Sequence, residues 1–104
     1  MLEDANGKSL IGDPDCGDFM CISIRVEDWE IVDIGFLCRG CPAAIASGSA
    51  TTELALGMML EKAMCLTPTD VSAHLGGLPE SKMHCSNLGV DALHYAMADY
   101  LGIL

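Results

Sequence analysis

Two neighbouring stretches of the chain alternate between apolar and other residues with a period of two. In residues 19–26 the apolar side carries Met20, Ile22, Ile24 and Val26, and in residues 29–38 it carries Val32, Ile34, Phe36 and Cys38. A period of two is typical of β-strands that have one apolar face. Glu27 and Asp28 lie between the two stretches and favour a tight reversal, so the sequence predicts an antiparallel hairpin.

The rest of the chain carries helical patterns and helix-boundary signals. Pro42 opens a stretch rich in Ala, Ser, Thr and Leu that runs to about Met59, and proline is favoured at the first position of a helix. A short helix is predicted from Thr67-Pro68 to Gly76-Gly77. A last helix, capped by Ser86, repeats apolar residues at helical spacing: Val90, Leu93, Met97 and Leu101. Strands followed by helices predict an α+β fold, in which a small antiparallel sheet, hairpin first, packs against a C-terminal set of helices.

Length, composition and charge exclude several classes of protein. The 104 residues are 51% hydrophobic and 19% charged, which predicts one domain over residues 12–104 after a flexible lead-in at residues 1–11. No stretch approaches the roughly 18 consecutive apolar residues of a membrane span. The net charge of −10 argues against binding to nucleic acid or anionic lipid, and it favours basic protein surfaces or cations as partners.

The chain contains six cysteines, a number that has two interpretations. In a secreted protein they would form three disulfides. The amino end lacks the basic and then apolar pattern of a signal peptide. We therefore expect a reduced, cytoplasmic protein whose thiols are available for metal or sulfur chemistry.

Three of these cysteines stand where a strand or a helix is predicted to begin. Cys16 precedes the first strand, Cys41 starts the first helix and Cys85 precedes the last one. The partial positive charge of a helix N-terminus favours the thiolate, and thiolates are ligands of zinc and of iron–sulfur centres. Asp18 and His84 stand within two residues of these thiols, and each is a candidate for a fourth ligand. The wide spacing matches no zinc-finger pattern.

Three segments together make the sequence recognisable. They are GDPDCGD at residues 12–18, GCPAAIASGSATTE at residues 40–53 and LPESKMHCS at residues 78–86. In this order they resemble the IscU/NifU amino-terminal family of iron–sulfur cluster assembly scaffolds. The resemblance runs from about Gly12 to Tyr100, and it is specific because all three segments occur together.

The resemblance implies a scaffold and not an enzyme. It implies a transient [2Fe–2S] cluster, or zinc in its place, on Cys16, Cys41 and Cys85, with Asp18 or His84 as the fourth ligand. A cysteine desulfurase would supply sulfur as a persulfide, and the cluster would pass to apo iron–sulfur acceptor proteins. In many systems an Hsp70-type chaperone and its J-protein assist.

Two further residues are auxiliary candidates at this site. Lys82 would place a positive charge beside the thiolates, which favours their ionised form. Cys38 stands three residues before Cys41 and is a candidate alternative ligand or persulfide acceptor.

Other functions are compatible with the same residues. A structural zinc module would unfold when its metal is removed, whereas a scaffold stays folded as the apoprotein. A zinc-dependent acceptor would relay persulfide without building a cluster, although His84 favours the IscU/NifU type over the zinc-bound SufU-like subgroup. A dithiol oxidoreductase would need Cys38 and Cys41, but this C-x-x-C pair lacks the βαβ setting of thioredoxin-like proteins.

Overall fold

The computed structural model describes residues 3–13, 18–40, 42–77 and 83–102, apart from the side chains of residues 13, 18, 43 and 83–86. Three strands come first: β1 (Gly7–Asp13), β2 (Asp18–Glu27) and β3 (Glu30–Arg39). Four helices follow: α1 (Pro42–Ala55), α2 (Leu60–Ala63), α3 (Pro68–His74) and α4 (Met83–Leu101). The predicted α+β fold is confirmed. None of the helices in the described ranges has the length and hydrophobicity of a membrane span.

The three strands form one antiparallel sheet in the order β1-β2-β3. The β2–β3 hairpin is confirmed, but its turn was predicted one residue too early. Glu27 pairs with Glu30, so the turn residues are Asp28 and Trp29, whose φ angles are 53° and 65°. Two successive residues with positive φ match the type I′ turn that suits the twist of a hairpin.

The apolar faces of the hairpin are confirmed except at one position. Met20, Ile22 and Ile24 are fully buried, and the predicted partners Ile34, Phe36 and Cys38 pack against the same core. The prediction for Val32 was wrong, because Ile31 is buried instead and Val32 is 37% exposed. A bulge explains the change of face: Arg25 pairs with Asp33 while Val26 pairs with Ile31, so one extra residue lies in β3.

The predicted flexible lead-in is corrected for residues 7–11, which belong to β1. This strand pairs with β2 from Gly7 opposite Ile24 to Asp13 opposite Asp18. Its sequence does not alternate because two positions on its inner face are Gly7 and Ser9. A Cβ on Gly7 would lie 2.5 Å from the Ala96 carbonyl oxygen, and the Ser9 hydroxyl donates to the Ala92 carbonyl at 2.6 Å. At these two positions β1 packs against α4 through close backbone approach and a hydrogen bond, and not through apolar side chains.

Two helix boundaries also differ from the prediction. The first helix ends at Ala55 and not near Met59, because the chain turns at Gly57 (φ 85°) to pair with β3. There the Gly57 amide donates to the Ile31 carbonyl at 2.8 Å and the Ile31 amide donates to the Met58 carbonyl at 2.9 Å. Helix α4 begins at Met83, so Ser86 lies inside it. A cap residue has non-helical backbone angles, which excludes Ser86 from that role.

The predicted short helix is confirmed as α3, and its start gives a test of the fold. The Thr67 hydroxyl accepts from the Asp70 amide at 3.2 Å, and the Asp70 carboxylate accepts from the Thr67 amide at 3.0 Å. We expect Thr67→Ala to lower the free energy of unfolding by about 1 kcal/mol, measured by urea denaturation. Thr69→Ala, in the same helix but outside the cap, is the control. Equal urea midpoints for the two variants would contradict the capping assignment.

Candidate metal centre

One end of the sheet gathers the segments that carry the predicted ligands. Asp13 and Asp18 pair where β1 passes into β2, and Phe19 pairs with Arg39 where β3 ends. Asp18 is the first residue of β2, and α1 begins at Pro42, three residues after Arg39. In the sequence, Cys16 stands between Asp13 and Asp18, and Cys41 stands between β3 and α1.

Helix α4 runs antiparallel to β1 and brings its first turn towards the same end. The Lys8 amide donates to the Asp99 carboxylate at 2.9 Å, and the Ser9 hydroxyl bonds to the Ala92 carbonyl. Further along β1, Gly12 lines a groove together with Leu88. Successive residues of β1 thus contact progressively earlier residues of α4. The first turn of α4 therefore lies towards Asp13, the last residue of β1. That turn includes His84 and Cys85.

The topology makes α1 and α4 parallel. Helix α1 starts at the Arg39 end of β3 and finishes where Gly57 bonds to Ile31, so it is antiparallel to β3. Helix α4 is antiparallel to β1, and β1 and β3 run in the same direction because both are antiparallel to β2. The N-termini of both helices therefore lie at the Asp13–Asp18 end of the sheet. Their partial positive charges favour anions there, thiolates included.

The two helices also approach each other closely. A Cβ on Gly89 would lie 2.6 Å from the Thr51 hydroxyl oxygen and 2.7 Å from the Ser47 hydroxyl oxygen. Both hydroxyl side chains are fully buried. Gly89 follows Cys85 by four residues, and Ser47 follows Cys41 by six. The absence of a side chain at Gly89 thus sets the spacing of the helices just behind their first turns.

Comparison with known proteins agrees with this arrangement. The sequence matches the family model of the NifU-like N terminal domain over residues 1–104. The chain belongs to this family. It is 52% identical over 99 residues to the iron-sulfur cluster assembly scaffold protein IscU 1 of Archaeoglobus fulgidus, covering 95% of this chain and 65% of that protein. It is 47% identical over 103 residues to the scaffold protein IscU of Aquifex aeolicus, covering 97% of this chain and 66% of that protein.

The NifU-like domain thus spans just under two thirds of the length of these two relatives. Its fold is similar to the crystal structure of a nitrogen-fixing NifU-like protein (N-terminal) from Brucella abortus. The TM-score is 0.77 at 13% sequence identity, and the match covers 99% of this chain and 84% of that chain. The predicted family is therefore confirmed by sequence, and the predicted architecture by structure.

The ligand set itself stays a prediction. Cys16, Cys41 and Lys82 lie outside the described residues, as do the side chains of Asp18, His84 and Cys85. Across residues 3–13, 18–40, 42–77 and 83–102 no group of three His, Cys, Asp or Glu side chains is arranged to hold a metal ion. The structure does define the backbone at Asp18, His84 and Cys85, and it defines the directions of β2 and α4, which carry these residues.

The three other cysteines take different positions. Cys38 is opposite Met20, on the inner face of the sheet and one pair away from Arg39, which ends β3. Cys21 is opposite Leu37 on the outer face, and Cys65 is exposed after α2. Cys38 therefore lies on the face of the sheet that packs against α1, near the end of the sheet where the candidate centre is predicted. This position supports its predicted auxiliary role over the other two.

Two histidines are bonded elsewhere in the domain. His74 Nε2 lies 2.8 Å from a Glu53 carboxylate oxygen, at the surface between α3 and α1. His94 Nε2 lies 3.1 Å from the Ala63 carbonyl oxygen, between α4 and α2. Both histidines therefore contact residues outside the predicted ligand set.

Sequence reasoning missed the contact of Gly89 with Ser47 and Thr51. A signal was present: Ser47 and Thr51 are four residues apart, so they share one face of α1, and a glycine inside a helix carries a cost that packing must offset. The pattern alone does not say which two helices meet, so the contact became visible only with the topology.

Proposed function

We propose that this domain assembles an iron–sulfur cluster and passes it to apo-proteins. One observation carries the proposal: the parallel helices α1 and α4 begin at the sheet end where β1 passes into β2. The described residues next to Cys16 and Cys41 in the sequence, and the first turn of α4 with Cys85, therefore lie at one end of the sheet. The names of the relatives in Archaeoglobus fulgidus and Aquifex aeolicus support the same function.

The cluster is cargo in this proposal, and the ligand types suit its release. We assign a [2Fe–2S] cluster to the thiolates of Cys16, Cys41 and Cys85, with Asp18 or His84 completing the set. Thiolates match iron in softness, whereas a carboxylate oxygen is a harder and more easily displaced ligand. A mixed set holds the cluster during assembly and still lets an acceptor's cysteines replace the protein's ligands.

The partners in this proposal are those that the resemblance to the IscU/NifU family implies. A cysteine desulfurase supplies the sulfur, and apo iron–sulfur proteins receive the cluster. An Hsp70-type chaperone with its J-protein assists the transfer. Zinc at the same ligands is a second form of the domain, because tetrahedral zinc also accepts three thiolates and one nitrogen or oxygen ligand.

The test is a metal and sulfide analysis after anaerobic incubation with Fe²⁺ and sulfide. We expect about two irons and about two acid-labile sulfides per chain, with brown visible absorption. Cys16→Ala should lose this absorption, whereas the matched variant Cys65→Ala, at an exposed position beyond α2, should keep it. The apoprotein should remain folded by circular dichroism.

A structural zinc module would give a different result. Zinc would bind tightly, iron would not enter, and removal of zinc by a chelator would unfold the domain. That outcome would overturn the scaffold proposal. Equal cluster content in Cys16→Ala and Cys65→Ala would overturn the ligand assignment while leaving cluster binding in place.

A further inference from the structure

The tip of the β2–β3 hairpin has an unusual composition for its backbone shape. Asp28 and Trp29 both have positive φ, and in such a turn the second position strongly favours glycine. A bulky side chain there is a genuine outlier that costs folding free energy. Trp29 is the single tryptophan of the chain, and it is 62% exposed. Neither burial nor turn geometry explains a tryptophan at this position.

The tip is nevertheless held firmly in place. The Trp29 carbonyl accepts from the Leu60 amide at 2.7 Å, and Glu30 pairs with Met59 in an isolated bridge. Together with Leu60 and Glu61, Trp29 and Met59 line a small cavity beside the turn. Met59 itself is 39% exposed. The indole and the thioether are thus presented to solvent by a hydrogen-bonded backbone.

Carboxylates surround these apolar side chains. Glu27 and Asp28 lie in or next to the turn, and Glu61 lies beside the cavity; all three are exposed. Arg25 is engaged by Asp4 at 3.1 Å and by Glu27 at 2.5 Å. Because the Glu27 carboxylate is already paired with Arg25, we call Trp29, Met59 and the carboxylates of Asp28 and Glu61 the tip surface.

The negative charge of the tip surface indicates which kind of partner would bind there. A second copy of this chain would bring the same carboxylates and another net charge of −10, which opposes association. The complementary surface carries arginine, whose guanidinium stacks on an indole face and pairs with carboxylates at its rim. We propose that the tip surface docks an arginine-rich segment of a partner protein, with one guanidinium stacked on Trp29.

The position of the tip surface leaves the candidate metal centre accessible. Strand β2 has ten residues, with Asp18 at one end and Glu27 at the other. At about 3.3 Å per residue these ends lie about 30 Å apart. A partner on the tip surface therefore need not cover the end of the sheet where α1 and α4 begin.

The single tryptophan provides the measurement. We expect a short peptide of alternating arginine and alanine to change the Trp29 fluorescence in a saturable way, with one peptide per chain. Trp29→Gly, which gives the turn its favoured residue type, should stay folded and bind the same peptide about tenfold more weakly by calorimetry. The matched variant Tyr95→Ala, which removes another exposed aromatic ring on α4, should bind as the wild type does.

Charge variants separate docking from general attraction to an acidic protein. Glu61→Gln should weaken binding, whereas Asp91→Asn, an equal change of charge on α4, should not. The proposal fails if Trp29→Gly binds the peptide as tightly as the wild type, or if Glu61→Gln and Asp91→Asn have equal effects. It also fails if sedimentation shows that the chain itself dimerises through Trp29.

Discussion

Gly89→Ala should lower the free energy of unfolding by about 2 kcal/mol. Helix propensity alone predicts the opposite sign, because alanine is favoured over glycine in a helix by about 1 kcal/mol. The added methyl group, however, would lie 2.6 Å from the Thr51 hydroxyl oxygen and 2.7 Å from that of Ser47. Overpacking of a close helix contact costs about 1–3 kcal/mol. We take the upper end of this range, about 3 kcal/mol, because Ser47 and Thr51 are fully buried. Subtracting the gain of about 1 kcal/mol in helix propensity leaves a net loss of about 2 kcal/mol, which chemical denaturation measures.

A second substitution tests the cause of this loss. In the described part of the domain the Ser47 hydroxyl is buried without a hydrogen-bond partner, so Ser47→Ala removes no bond. In the Gly89→Ala background it should recover part of the lost stability, and on its own it should be close to neutral. A Gly89→Ala variant more stable than the wild type would show that the helices separate without cost.

The same contact connects stability with the candidate centre. Gly89 is one turn beyond Cys85, so a wider spacing of α1 and α4 changes the separation of the segments that carry Cys41 and Cys85. Under the proposed function, the Gly89→Ala variant should therefore contain less iron and sulfide per chain than the wild type after reconstitution. Val71→Ala, a cavity variant in a buried cluster of α3 with α1 and α4, provides a control of reduced stability without a change at Gly89.

The sequence predicted the parts of the fold in which apolar periodicity dominates. Strand β2 has four inner residues that are all apolar and all buried, and α4 buries Val90, Leu93 and Met97 as predicted. Strand β1 was missed because its inner positions include Gly7 and Ser9, which contact α4 through close approach and a hydrogen bond. Periodicity detects apolar faces, and β1 lacks a continuous one.

Local ambiguity explains the error in β3. Ile31 and Val32 are adjacent and both apolar, so either one extends the apolar face of the strand. The turn at Asp28 and Trp29 and the bulge beside Arg25 decide in favour of Ile31. Both features depend on pairing with β2, which the sequence of β3 alone does not contain.

The sequence predicts the candidate centre as a set of residues but does not predict where in the fold those residues lie. Three motifs indicated Cys16, Cys41 and Cys85 through a family resemblance, while their spacing matched no known finger pattern. The approach of the described residues beside them depends on the directions of α1 and α4 relative to the sheet, which is a property of the topology. The sequence therefore predicts the ligand types, and the strand order gives the directions of the elements beside them.

Asp18→Ala should slow the loss of a reconstituted cluster by about tenfold, equal to about 1.4 kcal/mol in the barrier. Asp18 begins β2, where pairing with Asp13 fixes its backbone at the end of the sheet that gathers the candidate ligands. In the proposed ligand set its carboxylate is the harder and more readily exchanged donor. In the variant we expect the imidazole of His84 to take the fourth position and to be displaced less easily. The decay of the visible absorption, with and without an apo-acceptor, measures the effect.

Asp13→Ala is the matched control, because it removes one carboxylate from the paired position in β1 and leaves the proposed ligands intact. Its cluster should decay at the wild-type rate. Asp18→Ala combined with His84→Ala should then lose the cluster faster than Asp18→Ala alone, because neither fourth ligand remains. If Asp18→Ala and Asp13→Ala decay at the same rate, the carboxylate is not the ligand that controls release, and His84 becomes the candidate for that role.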